Sequence, residues 1–277
     1  MIRRQTLQGY ELITQDDHAI LAEDLARQVD AEFMHSPDPA EATFLGIRHH
    51  DAGWRLFDDL PVLSPAKIPL DVFEAPRHIT HRAWLKSADK AVSVHPYAGL
   101  LVCLHGLSLS AMNVSSNSPV RFDPQQLRQQ FELNKFQHQM IEKLESLRGQ
   151  IGLRIDRPLR LGLADGWTDP EEEKLKHNFR FLQAMDVLSL WVCCTHLPSA
   201  LSASLSRAPG QPLFRMNVHR LSAEELRLDP WIFRYDRVEA RVPCRVIPSK
   251  TYSTEQELRQ AYAQARTDLI TVVIRPG

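Results

Sequence analysis

Residues 181–193 read FLQAMDVLSLWVC, and the place of Asp186 within them sets the reading of the whole chain. Four and seven positions back lie Leu182 and Phe179; four and seven forward lie Leu190 and Cys193. A helix of that period puts the carboxylate in the middle of an apolar stripe, where an ionised group is costly unless something pairs with it. A buried arginine would serve, and so would a bound cation.

Other segments favour the cation. His105 in LLVCLHGLSLS has Leu101 and Val102 one turn before it and Leu109 and Met112 one and two turns after. His18 in TQDDHAILAEDLA shares a face with Leu21, Ala22 and Leu25. Taken singly, each of these histidines reads as a satisfied core residue. In ATFLGIRHHDAGW, residues 42–54, the adjacent His50 and Asp51 close an apolar helical segment just before Gly53 lets the backbone turn. Imidazoles together with carboxylates suit a divalent transition ion, Fe, Mn, Ni or Zn, whereas an all-oxygen Mg or Ca cage has no use for several histidines.

The rest of the composition narrows the class. With 277 residues the chain buries a large core, and 33 basic against 34 acidic residues show no bias toward nucleic acid or an anionic membrane surface. Cys103, Cys193, Cys194 and Cys244 have no C-x-x-C spacing and read as reduced, small hydrophobes. No stretch reaches the roughly 18 apolar residues of a membrane span, and MIRRQTLQGYELIT lacks the apolar run of a signal peptide. The expected address is the cytoplasm, and the expected partner is a small molecule.

Hydrophobic periodicity predicts two short strands at about residues 2–5 and 10–14 and helices at about 16–29, with Thr14 or Asp16 as N-cap, and 40–49. Further helices are predicted at about 77–92, 96–110, 125–148 and 170–196, with LRIDRPLRLGLAD between the last two irregular. After residue 206 the texture changes to runs rich in β-formers, LFRMNVHRL, WIFRYD, VEARVPCRVIP and LITVVIRP, with one helix, TEQELRQAYAQAR. The N-terminal hairpin can join that sheet or stay apart from it. The expected organisation is a mainly α domain over residues 1–205 and a small α+β unit over 206–277.

In its ligand residues the chain resembles the HD-domain superfamily, helical metal-dependent phosphohydrolases and related oxygenases marked by a first His, an adjacent His-Asp pair and a distant Asp on a later helix. Matched residue by residue, these are His18, His50, Asp51 and Asp186. More closely, DHAILAEDLA, HHDAGWRLFD, HPYAGLLVCLHGLSL, FLQAMDVLSLWVC, DPWIF and the terminal IRP resemble an uncharacterised bacterial family of HD-like proteins over nearly the whole chain. The resemblance implies an HD-like helical bundle holding one or two ions.

Superfamily members with two ions add two histidines between the dyad and the final Asp. His105 is one candidate; His81, with Trp84, Leu85 and Ala88 on its face, is preferred for the other over His95 before Pro96 and over His78. The resemblance implies hydrolysis of a small phosphorylated molecule or nucleotide by metal-activated water, with Asp51 and His105 at the reaction. Asp58 either supplies an outer-shell base or turns the chain before Pro61. A diiron oxygenase using all six ligands and a non-catalytic metal-containing sensor are the alternatives. Where phosphohydrolases of this superfamily often carry a Lys after the dyad, this chain has Trp54, which either walls a small-molecule pocket or leaves the charge role to Arg55. Arg48, Arg77, Arg82 and Lys86 either surround an anionic substrate or are solvated surface charge. The acidic run from Asp169 to Glu173 is explained by a helix N-terminus, and residues 162–166 lack the Lys-Ser/Thr of a phosphate loop.

Overall fold

The computed structural model describes residues 1–111, 134–153, 170–198 and 200–277. The chain opens with a hairpin, β1 (Ile2–Gln5) and β2 (Tyr10–Ile13), and continues through helices α1 (Gln15–Ala26), α2 (Ala40–His49) and the short α3 (Arg55–Asp58). Helices α4 (Arg77–Val94), α5 (Pro96–Ala111), α6 (Lys135–Gln150) and α7 (Pro170–Cys193) follow. The last part holds β3 (Ala200–Ser206), β4 (Leu213–Arg220), β5 (Glu225–Asp229), β6 (Val238–Ile247), α8 (Glu255–Gln264) and β7 (Thr267–Pro276). The expected helix start at Gln125, the irregular LRIDRPLRLGLAD from Arg154 on, Asp169 and residues 162–166 lie outside the described residues. Met112 does too.

The structure corrects the expectation of a mainly α, HD-like bundle with a small C-terminal α+β unit. The fold is α+β, built on a seven-stranded mixed sheet of order β1-β2-β6-β7-β5-β4-β3. Two things enlarge the sheet beyond the expected unit. The N-terminal hairpin joins it, with Tyr10 opposite Ile247 and Leu12 opposite Arg245, and β3 adds an edge strand beside β4. All pairs are antiparallel except β5 with β7, which run parallel. WIFRYD, expected as a strand, is a loop in which Trp231 donates its indole N–H to the Tyr235 carbonyl and Phe233 makes an isolated bridge to Val29. The strand lies just before it, where ELRLD alternates buried Leu226 and Leu228 with outward charges.

Sheet and helices share one core. Ile2, Ile13, Val218, Val242 and Ile274 from strands pack in the same cluster as Leu25, Leu100, Leu104 and Leu182 from helices. Helix α7 lies on β3 and β4, and α1 lies on β6 and also meets α2 and α7. A smaller cluster, Tyr10, Leu12, Ile247, Tyr252 and Leu258, seats α8 against the hairpin corner of the sheet. The four cysteines are free and buried. No helix among the described residues is long and apolar enough to cross a membrane.

Candidate metal centre

Four helical segments converge at one buried point. Thr14 is the N-cap of α1, its Oγ1 accepting the Asp17 N–H at 3.0 Å, and the first turn places fully buried His18 inward with Leu21, Ala22 and Leu25. Helix α2 ends at His49, so His50 and Asp51 stand at its C-terminal end, beyond its last regular turn. The following turn is clamped on α4: the Gly53 N–H donates to Ser87 Oγ at 2.9 Å, and a Cβ on Gly53 would sit 2.0 Å from the Ala83 carbonyl oxygen. Glycine is needed there because two backbones touch, and not, as its place after the dyad suggests, for a special turn conformation. His105 comes from α5 and Asp186 from the middle of α7, both buried.

The donor atoms face one another. Asp186 Oδ1 lies 3.1 Å from His18 Nε2 and 3.3 Å from His50 Nε2, and the two Nε2 atoms are 3.2 Å apart. Asp51 Oδ2 stands 3.7 Å from His50 Nε2 and 3.9 Å from His18 Nε2, while His105 Nε2 is 3.4 Å from Asp186 Oδ2. Two overlapping sets, His18-His50-Asp51 and His50-His105-Asp186, each have ligand atoms within 4.8 Å of one another and can hold a metal ion. His81 belongs to neither.

The chemistry of the donors fits a cation. His50 Nδ1 lies 2.6 Å from the Ile47 carbonyl, which only accepts, so Nδ1 carries a proton and neutral His50 presents a bare Nε2. That lone pair points at an imidazole nitrogen and a carboxylate oxygen. Donors held about 2.0–2.2 Å from one ion stand about 2.8–3.1 Å apart at neighbouring corners of an octahedron and about 3.3–3.6 Å apart in a tetrahedron, and the three shortest separations, 3.1, 3.2 and 3.3 Å, match these spacings to about 0.1 Å. Among the described residues Asp51 Oδ1 and His105 Nδ1 are buried without a hydrogen-bond partner. Unpartnered buried polar atoms are rare in folded proteins and point to a ligand, water or ion.

The electrostatics agree. Burial opposes charge on His50, but the carboxylates of Asp51 and Asp186 outweigh it and raise the ring to about 9. Burial likewise opposes the Asp186 anion, yet the His18 and His50 rings beside it hold its carboxyl well below the usual range. For Asp51 burial prevails over the nearby imidazoles and pushes the carboxyl up. Burial takes His105 down to about 4 against the pull of Asp186, so it is neutral at pH 7. The site attracts positive charge, and a proton on His50 meets that need only in part.

Residues 1–249 match the family model described as Protein of unknown function (DUF3891). The chain belongs to the DUF3891 family. The match takes in every candidate ligand of the buried cluster and stops before α8 and β7, the strand between β5 and β6 in the sheet. Comparison with curated proteins and with solved structures finds no match.

In this DUF3891 fold the other residues singled out above take different places. The His81 ring stacks on Phe136, centroids 4.5 Å apart and planes 11° from parallel, and with His78 lines a groove between α4 and α6. His95 accepts the Tyr97 N–H on Nδ1 at 3.1 Å, at the start of α5. Asp58 is buried with Oδ2 accepting the Gln15 N–H at 2.6 Å and Oδ1 paired with the Met1 amine at 2.6 Å. It anchors the start of α1 to the chain end. Trp54 is buried, its ring against Phe57 and its indole N–H without a partner among the described residues. Arg48 pairs with Glu23 at 2.9 Å, and Lys86 with Asp89 at 3.7 Å.

One residue of the site escaped sequence reasoning. Ser189 is fully buried, and its Oγ lies 2.9 Å from His18 Nδ1 and 2.9 Å from the Asp186 carbonyl. Its signal was spacing: a serine three positions after the buried Asp, one turn along the same stripe.

Proposed function

We propose that the chain is a metal-dependent hydrolase of the HD-domain superfamily, acting on a small phosphorylated molecule such as a nucleotide, with water as nucleophile. What supports this most is the meeting of His18, His50, Asp51 and Asp186 at one buried point, in the superfamily's order of first His, adjacent His-Asp and distant Asp. These four residues would hold one ion. His105, beside Asp186, would join a second ion or contact phosphate.

A divalent Fe, Mn, Ni or Zn ion bound there supplies a Lewis acid for a phosphoryl oxygen and lowers the pKa of water. The remaining roles fall to the protein. Asp51 Oδ1, with no partner of its own among the described residues, is available to take the proton of the attacking water. The neutral His105 ring has one bare nitrogen, which would either join the second ion or accept from a hydroxyl of the substrate. In the reaction the water oxygen bonds to phosphorus, the bond from phosphorus to the ester oxygen breaks, and that oxygen leaves with the proton that Asp51 took from the water. Balanced formal charge and thiols kept buried and free accord with a small soluble substrate and a cytoplasmic setting.

The diiron oxygenase alternative calls for six protein ligands, and it is weakened by His81 stacking on Phe136. The two are separated by loading the protein with Mn or Ni and offering a panel of phosphomonoesters and nucleotides without oxygen. Phosphate release that disappears in His50→Ala is expected. Silence with every metal, together with oxygen consumption by the iron-loaded protein on an organic substrate, would overturn hydrolysis in favour of oxygenation. Silence in both assays would replace it with binding or sensing.

A further inference from the structure

We infer that Ser189 is a positioning residue of the metal centre: its hydroxyl sets the tautomer of His18 so that a bare Nε2 faces the ion. The inference rests on the metal-centre reading and goes beyond it by naming what orients the first ligand.

Ser189 lies one turn after Asp186 on α7. Its Oγ is 2.9 Å from the Asp186 carbonyl and 2.9 Å from His18 Nδ1, a residue 171 positions away. A serine hydroxyl has one proton to give, and a carbonyl can only accept. With the proton directed to the Asp186 carbonyl, the Oγ lone pairs face His18 Nδ1, which must then be N–H. The single proton of neutral His18 is thereby spent away from the site, and Nε2 is left as a lone pair 3.1 Å from Asp186 Oδ1.

His50 reaches the same state by a shorter route, its Nδ1 placed 2.6 Å from the Ile47 carbonyl of its own helix. His18 sits in the first turn of α1, and the hydroxyl relays the Asp186 carbonyl from α7 to its ring. The relay also joins two ligands through one helical turn, since Asp186 Oδ1 meets the Nε2 side of the ring that Ser189 holds at Nδ1. Outer hydrogen bonds of this kind fix ring orientation and raise ligand basicity. Among the described residues His105 has no such partner on Nδ1, which sets it apart from the two locked histidines.

The test measures zinc affinity of the full chain by chelator competition, together with the melting temperature of the metal-free protein. Ser189→Ala removes the hydroxyl without adding volume and suits a helix interior, so the variant folds. Its zinc affinity is expected to fall about 10–100-fold, while Ser189→Thr, which keeps the hydroxyl, binds as the wild type does. A serine that merely packs the helix would change the melting temperature and leave zinc affinity alone. Unchanged affinity in Ser189→Ala would overturn this inference and leave the metal centre standing. A wild-type chain that takes up neither zinc nor manganese would overturn both.

Discussion

His18 Nε2 and His50 Nε2 stand 3.2 Å apart, on rings 32 residues apart in sequence and inclined at 80° to each other. Two neutral imidazoles whose other nitrogens are hydrogen-bonded cannot satisfy one another in this way, because each presents a lone pair. Asp186 Oδ1, within 3.3 Å of both, adds a third acceptor. A cation at their common focus resolves the conflict, as a proton does for one pair at a time.

The purified protein is therefore expected to carry at least one transition-metal ion per chain, and Asp186→Ala and His50→Ala to lose most of it. Each substitution leaves an underfilled site and strands the remaining buried donors. His81→Ala should keep its metal, because that ring is engaged with Phe136. Elemental analysis of protein prepared without added metal decides the matter: full occupancy in both ligand variants would refute the assignment.

Chelation should lower the melting temperature by several degrees. The ligands come from α1, the end of α2, α5 and α7, so a bound ion cross-links elements remote in sequence, and a ligand held only by the native state stabilises it by mass action. A thermal scan before and after verified metal removal checks this. An unmoved transition would mean that the helices pack independently of the ion.

The metal-free protein should lose stability on acidification through His105. Burial holds the native ring near 4, whereas an unfolded histidine titrates near 6.5. The unfolded state therefore binds the proton first. The contribution is whole above the unfolded value and falls by on the order of 3 kcal/mol as pH drops from about 6.5 to about 4. His50 has the opposite sign: raised to about 9, its contribution is complete below about 6.5 and fades as pH climbs through about 9, so it is constant in the acid window. Urea unfolding across that window should show a shallower pH slope for His105→Gln than for the wild type, and equal slopes would rule out His105 as the source of the acid sensitivity.

Asp58→Asn should cost stability, on the order of 3–5 kcal/mol, since it strips one partner from a buried ion pair. The carboxylate holds both the Met1 amine and the first N–H of α1. Denaturant unfolding of the metal-loaded protein reads the loss. A variant as stable as the wild type but inactive would instead restore Asp58 as the outer-shell base that its place after the dyad suggests.

The chemistry of the candidate site was legible because it depends on a local conflict. A carboxylate at position 186 and histidines at 18 and 105 interrupt apolar stripes of period 3.6, and the cost of burying them is a property of residue type and spacing. The helices α1, α2, α4, α5 and α7 were legible for the same reason. Periodicity made candidates of both His81 and His105, since each shares a face with apolar neighbours, and only packing turns one ring to Phe136 and the other to Asp186. Ser189 was invisible as a partner of His18 because the contact crosses 171 residues.

The sheet shows the same division. Alternation in LITVVIRP marks β7 as a strand by itself, but nothing local says that it runs parallel to β5 and antiparallel to β6, or that a hairpin from residues 2–13 extends the sheet beyond β6. WIFRYD and ELRLD exchange the roles that their composition suggests, because β-forming side chains also suit a loop that packs on the core, while a strand buried on one face tolerates charge on every other residue. From sequence alone came residue chemistry and helical period, which act over one or two turns. Strand partners, the number of strands and which histidines meet were decided by tertiary structure, because backbone pairing and side-chain packing between distant segments depend on where the whole chain places them.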